Sequence, residues 1–82
     1  MSDKMAHYEL DARRLLCPMP VIKTQNMSKN LQHGDTITII ATDPGAHHDL
    51  PCWCRINGHL LIESKEINGE FHLTLQLVKD NT

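Results

Sequence analysis

In Leu10-Asp11-Ala12-Arg13-Arg14-Leu15-Leu16-Cys17-Pro18-Met19-Pro20 a strand gives way to a helix. Two prolines so close together cannot lie inside a helix, because each lacks an N–H and its ring clashes with the preceding turn. The first helical turn tolerates proline, since its N–H groups have no intrahelical partner. Val21 to Leu31 then run without Gly or Pro. Pro18 and Pro20 therefore mark a helix start, with Cys17 at or just before the N-cap. Pre-proline geometry favours extended backbone at Cys17, which suits a cap there, and at Met19, which could move the start to Pro20. In either case the thiol is expected at the positive end of a helix dipole, a setting that favours the thiolate.

Upstream, Tyr8, Leu10 and Ala12 alternate with Glu9, Asp11 and Arg13, the period of a half-buried strand. Downstream, the helix runs to about Asn30 with a thin stripe of Val21, Thr24, Ser28 and Leu31, with Met27 beside it. Gln32-His33-Gly34-Asp35 stops it. Thr36 to Thr42 is rich in β-branched residues and reads as a strand. Asp43-Pro44 opens a second helix as cap and first residue. Ala46, Leu50, Trp53 and Cys54 share one face of it, and His48, Cys52 and Arg55 the other. Pro51 inside this segment predicts a kink or a short first piece, and Asn57-Gly58 ends it. Leu60 to Ile67 reads as a strand, and Asn68-Gly69 as a two-residue hairpin turn needing positive φ. Phe71, Leu73, Leu75 and Leu77 alternate through the last strand. The order β-α-β-α-β-β predicts an α+β domain, a two-layer α/β sandwich. Its four-stranded mixed sheet carries both helices on one face.

The 82 residues suffice for a single domain, 1–82, with an ordered core of about 8–78. Residues 1 to 6 and Asp80-Asn81-Thr82 read as frayed ends. At 40% hydrophobic and 22% charged, the composition is that of a soluble globular protein. The net charge of -2 argues against direct nucleic-acid binding. So does the scarcity of aromatic residues, Tyr8, Trp53 and Phe71. No apolar run is long enough to span a membrane and no signal peptide is visible. The expected compartment is the cytoplasm, where Cys17, Cys52 and Cys54 would stay free thiols.

Leu10-Asp11-Ala12-Arg13, Cys17-Pro18-Met19-Pro20, Asp43-Pro44, Asp49-Leu50-Pro51 and Cys54 together resemble the TusA (SirA-like) family of sulfur carrier proteins. The match extends from about Tyr8 to Val78. It implies a fold like the C-terminal domain of translation initiation factor three. It also implies that Cys17 carries sulfur as a persulfide, without a cofactor. The donor would be a cysteine desulfurase or another sulfurtransferase, and the acceptor a downstream protein in tRNA thiolation or a sulfur-oxidation route. Two positions depart from the family pattern. Arg14 stands where many members have Gly, and Cys52 where Gly is common.

Sulfur relay needs an accessible nucleophilic thiolate. Arg13, Arg14 and Lys23 are the nearby cations expected to support it and to form a docking patch for an acidic partner. The alternative for these three is an ordinary solvated charged face, and for Cys17 a small buried hydrophobe. Cys54 reads as a core thiol and Trp53 as a core aromatic. Cys52 and His48, at i and i+4 on the polar face, could supply two metal ligands, with His47 a third. A structural zinc site wants four, so no metal is assigned and an exposed cysteine is the simpler reading. Cys52 and Cys54 should point to opposite faces. His7, His33, His59 and His72 read as surface positions. Two functions compete with a sulfur carrier: a non-catalytic regulatory or binding module of the same fold, and a small metal- or selenium-handling protein using Cys17, Cys52 and His48.

Overall fold

Alternation along the chain builds the sheet. In the computed structural model, which describes residues 6–79, Tyr8, Leu10 and Ala12 turn inward while His7, Glu9 and Asp11 stay exposed, forming β1 (His7–Ala12). It pairs in parallel with β2 (Thr36–Ala41), from His7 opposite Thr36 to Ala12 opposite Ala41. A parallel pair needs a crossover connection, supplied by α1 (Met19–Ser28). After α2 (Pro44–Asn57), β3 (Leu60–Ile67) and β4 (Glu70–Gln76) form an antiparallel hairpin. Its turn has Asn68 at φ 50° and Gly69 at φ 84°, the positive angles expected of a two-residue hairpin. β4 slots in antiparallel to β2, giving the sheet order β1-β2-β4-β3.

Ala12, Ile37, Ile39, Ala41, Phe71, Leu73, Leu75 and Leu77 line the sheet face covered by both helices, as expected. From α2, Ala46, Leu50, Trp53 and Cys54 meet them. α1 has little apolar surface, and its fully buried Thr24 solves the polarity problem locally, donating Oγ1–H to Pro20 O at 2.8 Å. Pro20 is also buried, a core role beyond its helix-starting one.

Three expectations change. α1 ends at Ser28 rather than near Asn30, because the following residues tighten into turns, Asn30 N bonding Met27 O and Leu31 N bonding Ser28 O. α2 does not form a separate first piece before Pro51 but runs unbroken through it; burial of residues on both sides of the proline offsets its lost hydrogen bond. Ala6 is tied rather than frayed. Its N–H donates to Asp35 Oδ1 at 3.0 Å and its carbonyl accepts from Thr36 N. The remaining residues read as frayed ends, 1–5 and 80–82, lie outside the described region. His7, His33, His59 and His72, read as surface positions, each make side-chain contacts.

The sheet has two unlike poles. Ala12, Ala41 and Phe71 align at one, where β1 and β2 end and the Asn68-Gly69 turn sits. At the other, Asp35 accepts from Ala6 N and Gln32 N, which hold its carboxyl below the usual carboxylate range. The C-terminal segment is latched at this pole. His59 Nδ1 accepts from Val78 N and His33 Nδ1 from Lys79 N, each at 3.0 Å. Lys79 Nζ donates to the carbonyls of Ser28 and Leu31, closing the C-terminal end of α1. On the sheet's open face, His7 contacts Thr36 and Thr38, and His72 contacts Glu70.

β1 and β3 are the edge strands, and all eight residues of β3 are exposed. Glu63, Lys65 and Glu66, with an irregularity between Leu61 and Glu63, keep this edge from pairing with other strands.

Leu50 has no solvent exposure, so Leu50→Ala should cost about 2–5 kcal/mol of stability, measured by urea denaturation. The His59 latch makes stability depend on pH. Burial, chiefly, and the nearby Lys79 charge lower the pKa of His59. Its contribution is therefore complete above the unfolded-state value and is lost as pH falls through the lower folded-state one. The melting temperature should drop between about pH 7 and 5, with a smaller drop in His59→Gln; an identical profile in that variant would exclude the latch as the cause.

Candidate functional site

Cys17 sits where the starts of both helices meet. After β1 the chain bends at Arg14, whose φ of 69° lies in the left-handed region that glycine enters most easily. Arg14 N donates to Thr42 Oγ1 at 2.9 Å. Leu15 N and Met19 N close successive turns onto Ala12 O and Leu16 O. The Cys17–Pro18 peptide is cis, Pro18 is the N-cap and α1 begins at Met19, so Cys17 stands one residue before the cap.

Asp43 joins this turn to α2. Its Oδ2 accepts Cys17 N–H at 2.8 Å and its Oδ1 accepts Gly45 N–H at 3.3 Å. These two amides hold the Asp43 carboxyl below the usual range. The Cys17 thiol is half-buried against the core and faces carboxylates, not cations. Burial first, then the hydrogen bond and charge of Asp49, then Asp43, push its pKa up to about 11. This corrects the expectation of a thiolate favoured by the helix end. Among the described residues no N–H donates to Cys17 Sγ, and the amide of Cys17 itself is committed to Asp43.

The cations lie elsewhere. Arg13 is held by Asp11 (2.9 and 3.1 Å) and Glu70 (3.4 Å). With Arg14, Asp11, Thr42 and Glu70 it lines a hollow of about 390 Å³ that does not include Cys17. Lys23 is exposed on α1. Pro18 is exposed beside the thiol and Pro20 is buried beneath it.

Cys54 falls in the core as expected, whereas Cys52, expected to be exposed, is half-buried on α2. Burial pushes Cys54 up to about 11. Arg55 Nη2 contacts Cys52 Sγ at 3.8 Å, and His48 Nδ1 pairs with Asp49 Oδ1 at 3.1 Å. His47 stacks on Phe71, with ring centres 4.7 Å apart. Cys17, Cys52 and His48 are not brought together, and among the described residues no three His, Cys, Asp or Glu side chains cluster in a way that could hold a metal. No described helix is long and apolar enough to cross a membrane.

Sequence reasoning treated Asp43 as a cap alone and gave Asp49 and Gly45 no chemical role. The signal was the spacing of Asp43-Pro44 and Asp49-Leu50-Pro51, which places both carboxylates on the first turns of α2.

The family described as sulfurtransferase TusA matches residues 8–77. The sulfur carrier protein TusA of Allochromatium vinosum is 37% identical over 68 residues, covering 83% of this chain and 90% of that protein. Its counterpart in Pseudomonas putida GB-1 is 38% identical over 71 residues, covering 87% and 89%. The crystal structure of a SirA-like protein from Desulfitobacterium hafniense superposes with a TM-score of 0.76 at 20% identity, over 88% of this chain and 99% of that one. That structural likeness supports the fold.

With its pKa near 11, Cys17 is about one part in a thousand thiolate at pH 8. Its iodoacetamide alkylation should climb about tenfold per pH unit from pH 8 to 10. Cys54 is pushed up equally, so access rather than acidity should separate the two thiols. Asp49→Asn removes a carboxylate that favours the neutral thiol, so it should speed Cys17 alkylation at pH 8 severalfold. A rate plateau below pH 8 in the unmodified chain would contradict this electrostatic picture.

Proposed function

Because the chain belongs to the TusA sulfurtransferase family, we propose that it is a sulfur carrier that accepts sulfur as a persulfide on Cys17 and relays it to an acceptor protein. The observation that supports this is the placement of Cys17. It is a free thiol on an anchored turn, half-buried, at the meeting point of two helix starts. Cys54 is enclosed in the core and Cys52 lies outside the anchored turn.

The transfer balances without an external oxidant or reductant. The Cys17 sulfur attacks the outer sulfur of a donor persulfide, the donor S–S bond breaks, and the donor sulfur leaves as a thiol. The proton lost by Cys17 ends on that leaving thiol. Asp49, whose carboxylate is one of the two that neighbour the Cys17 thiol, is placed to receive the proton on the way. Passing the sulfur on repeats the exchange, with an acceptor thiolate attacking the outer sulfur and Cys17 as leaving group.

The donor in this reading is a cysteine desulfurase or another sulfurtransferase. The acceptor is a protein of tRNA thiolation or of a sulfur-oxidation route. The reducing cytoplasm keeps all three cysteines available as thiols. Arg14 and Lys23, exposed on the flanks of the turn, serve as docking charges. Arg13 contributes less, its charge being matched by Asp11 and Glu70.

Incubation with a desulfurase and cysteine should add sulfur to Cys17, seen by mass spectrometry as about 32 Da per atom. Cys17→Ser should lose that addition, while Cys52→Ser and Cys54→Ala keep it. Equal loading of Cys17→Ser and the unmodified chain would overturn the proposal.

A further inference from the structure

Four glycines occur in the chain, and Gly45 is unlike Gly58 and Gly69. Those two have positive φ, and a Cβ added to either would meet nothing within 4 Å, so backbone conformation explains them. Gly45 has no such angle. It lies at the second position of α2, where its N–H completes the Asp43 bridge, an arrangement open to any residue but proline. Helix propensity alone would favour alanine there.

What glycine provides at this point is space. A Cβ on Gly45 would stand 3.3 Å from Cys17 Sγ, 3.4 Å from Cys17 Cβ and 3.3 Å from Asp43 Oδ2. The thiol also has the Asp49 and Asp43 carboxylates as neighbours. A sulfur atom bonded to Sγ lies about 2 Å from it and is comparable in size to the missing methyl. A chain that carries an extra sulfur on Cys17 therefore needs free volume against Sγ.

We propose that Gly45 is a specificity-determining residue of the transfer: its missing side chain keeps open the space beside Cys17 Sγ that the incoming sulfur enters and the outer persulfide sulfur then occupies. This inference rests on the persulfide reading above. The exchange is the one already written, in which the new Cys17 S–S bond forms as the donor S–S bond breaks. Gly45 acts by leaving room and takes part in no proton transfer.

The test compares the full chain with Gly45→Ala, using glutathione persulfide and, separately, a cysteine desulfurase with cysteine. Persulfide on Cys17 and on Cys52 is counted by mass spectrometry in the same sample. The expected result is a fall of about tenfold or more in the Cys17-to-Cys52 ratio, for an S–S bond that must fit where the Cβ now stands. With the desulfurase, the maximal rate should fall while the half-saturating donor concentration stays the same, because Gly45 lies beside the reacting sulfur rather than on a docking rim. Unfolding of the variant would expose both cysteines alike and also pull the ratio toward equality, so loading is read at a temperature where circular dichroism shows Gly45→Ala as folded as the unmodified chain, and a lower ratio there supports the inference. A ratio that is unchanged or raised overturns the inference. If the unmodified chain takes no sulfur on Cys17 from either donor, the persulfide reading itself falls, and this inference with it.

Discussion

The Asp43 carboxylate is the joint on which this architecture turns. One oxygen holds the amide of Cys17 and the other the amide of Gly45, so two helix starts that are far apart in sequence become one corner. Both hydrogen bonds are to a charged acceptor, the stronger kind. Asp43 stays ionised because those amides favour the anion. No disulfide braces the corner, Cys17, Cys52 and Cys54 all being free thiols. Its rigidity comes from this carboxylate, from the turn bonds at Leu15 and Met19, and from the apolar layer beneath, where Pro20, Ala46 and Leu50 are buried.

The same carboxylate, with Asp49, gives the thiol an environment opposite to the one a helix start alone would create. A mostly protonated thiol is less exposed to oxidation, which proceeds through the thiolate. A thiol of high pKa is also the stronger nucleophile once its proton is gone. For the proposed relay this shifts the point of control from the free carrier to the encounter with a partner. The family match and relatives at 37–38% identity make the carrier role general; the acidic surroundings of Cys17 are the local detail from which its reactivity is argued.

What was legible in the sequence was what short-range periodicity and turn chemistry control. The alternation Phe71, Leu73, Leu75, Leu77 named the buried face of the last strand. The spacing of Ala46, Leu50, Trp53 and Cys54 named that of α2, and Asn68-Gly69 the hairpin. The short first piece that Pro51 suggested is absent because a local rule met tertiary burial on both sides of it. The electrostatics of the site were misread for a different reason. Arg13 and Arg14 are near Cys17 along the chain, whereas Asp43 and Asp49 arrive only when β2 and α2 close over the turn. Proximity in sequence suggested cations, and proximity in space supplied anions. The histidine latches at Val78 and Lys79 were hidden likewise, being contacts across long sequence separations.

The two poles of the sheet have a consequence for modularity. Ala6 and Lys79, where the described chain enters and leaves, are both gathered near Asp35 and His33 at the pole remote from the ends of β1 and β2, where Cys17 lies. Chain ends that lie close together and away from the working surface are those at which a domain can be appended, duplicated or permuted with least disturbance. Extra polypeptide attached at either end would emerge behind the reactive corner and leave it in view. The fold is thus laid out as a cassette, able to present the same face whether it stands alone or is carried on something larger.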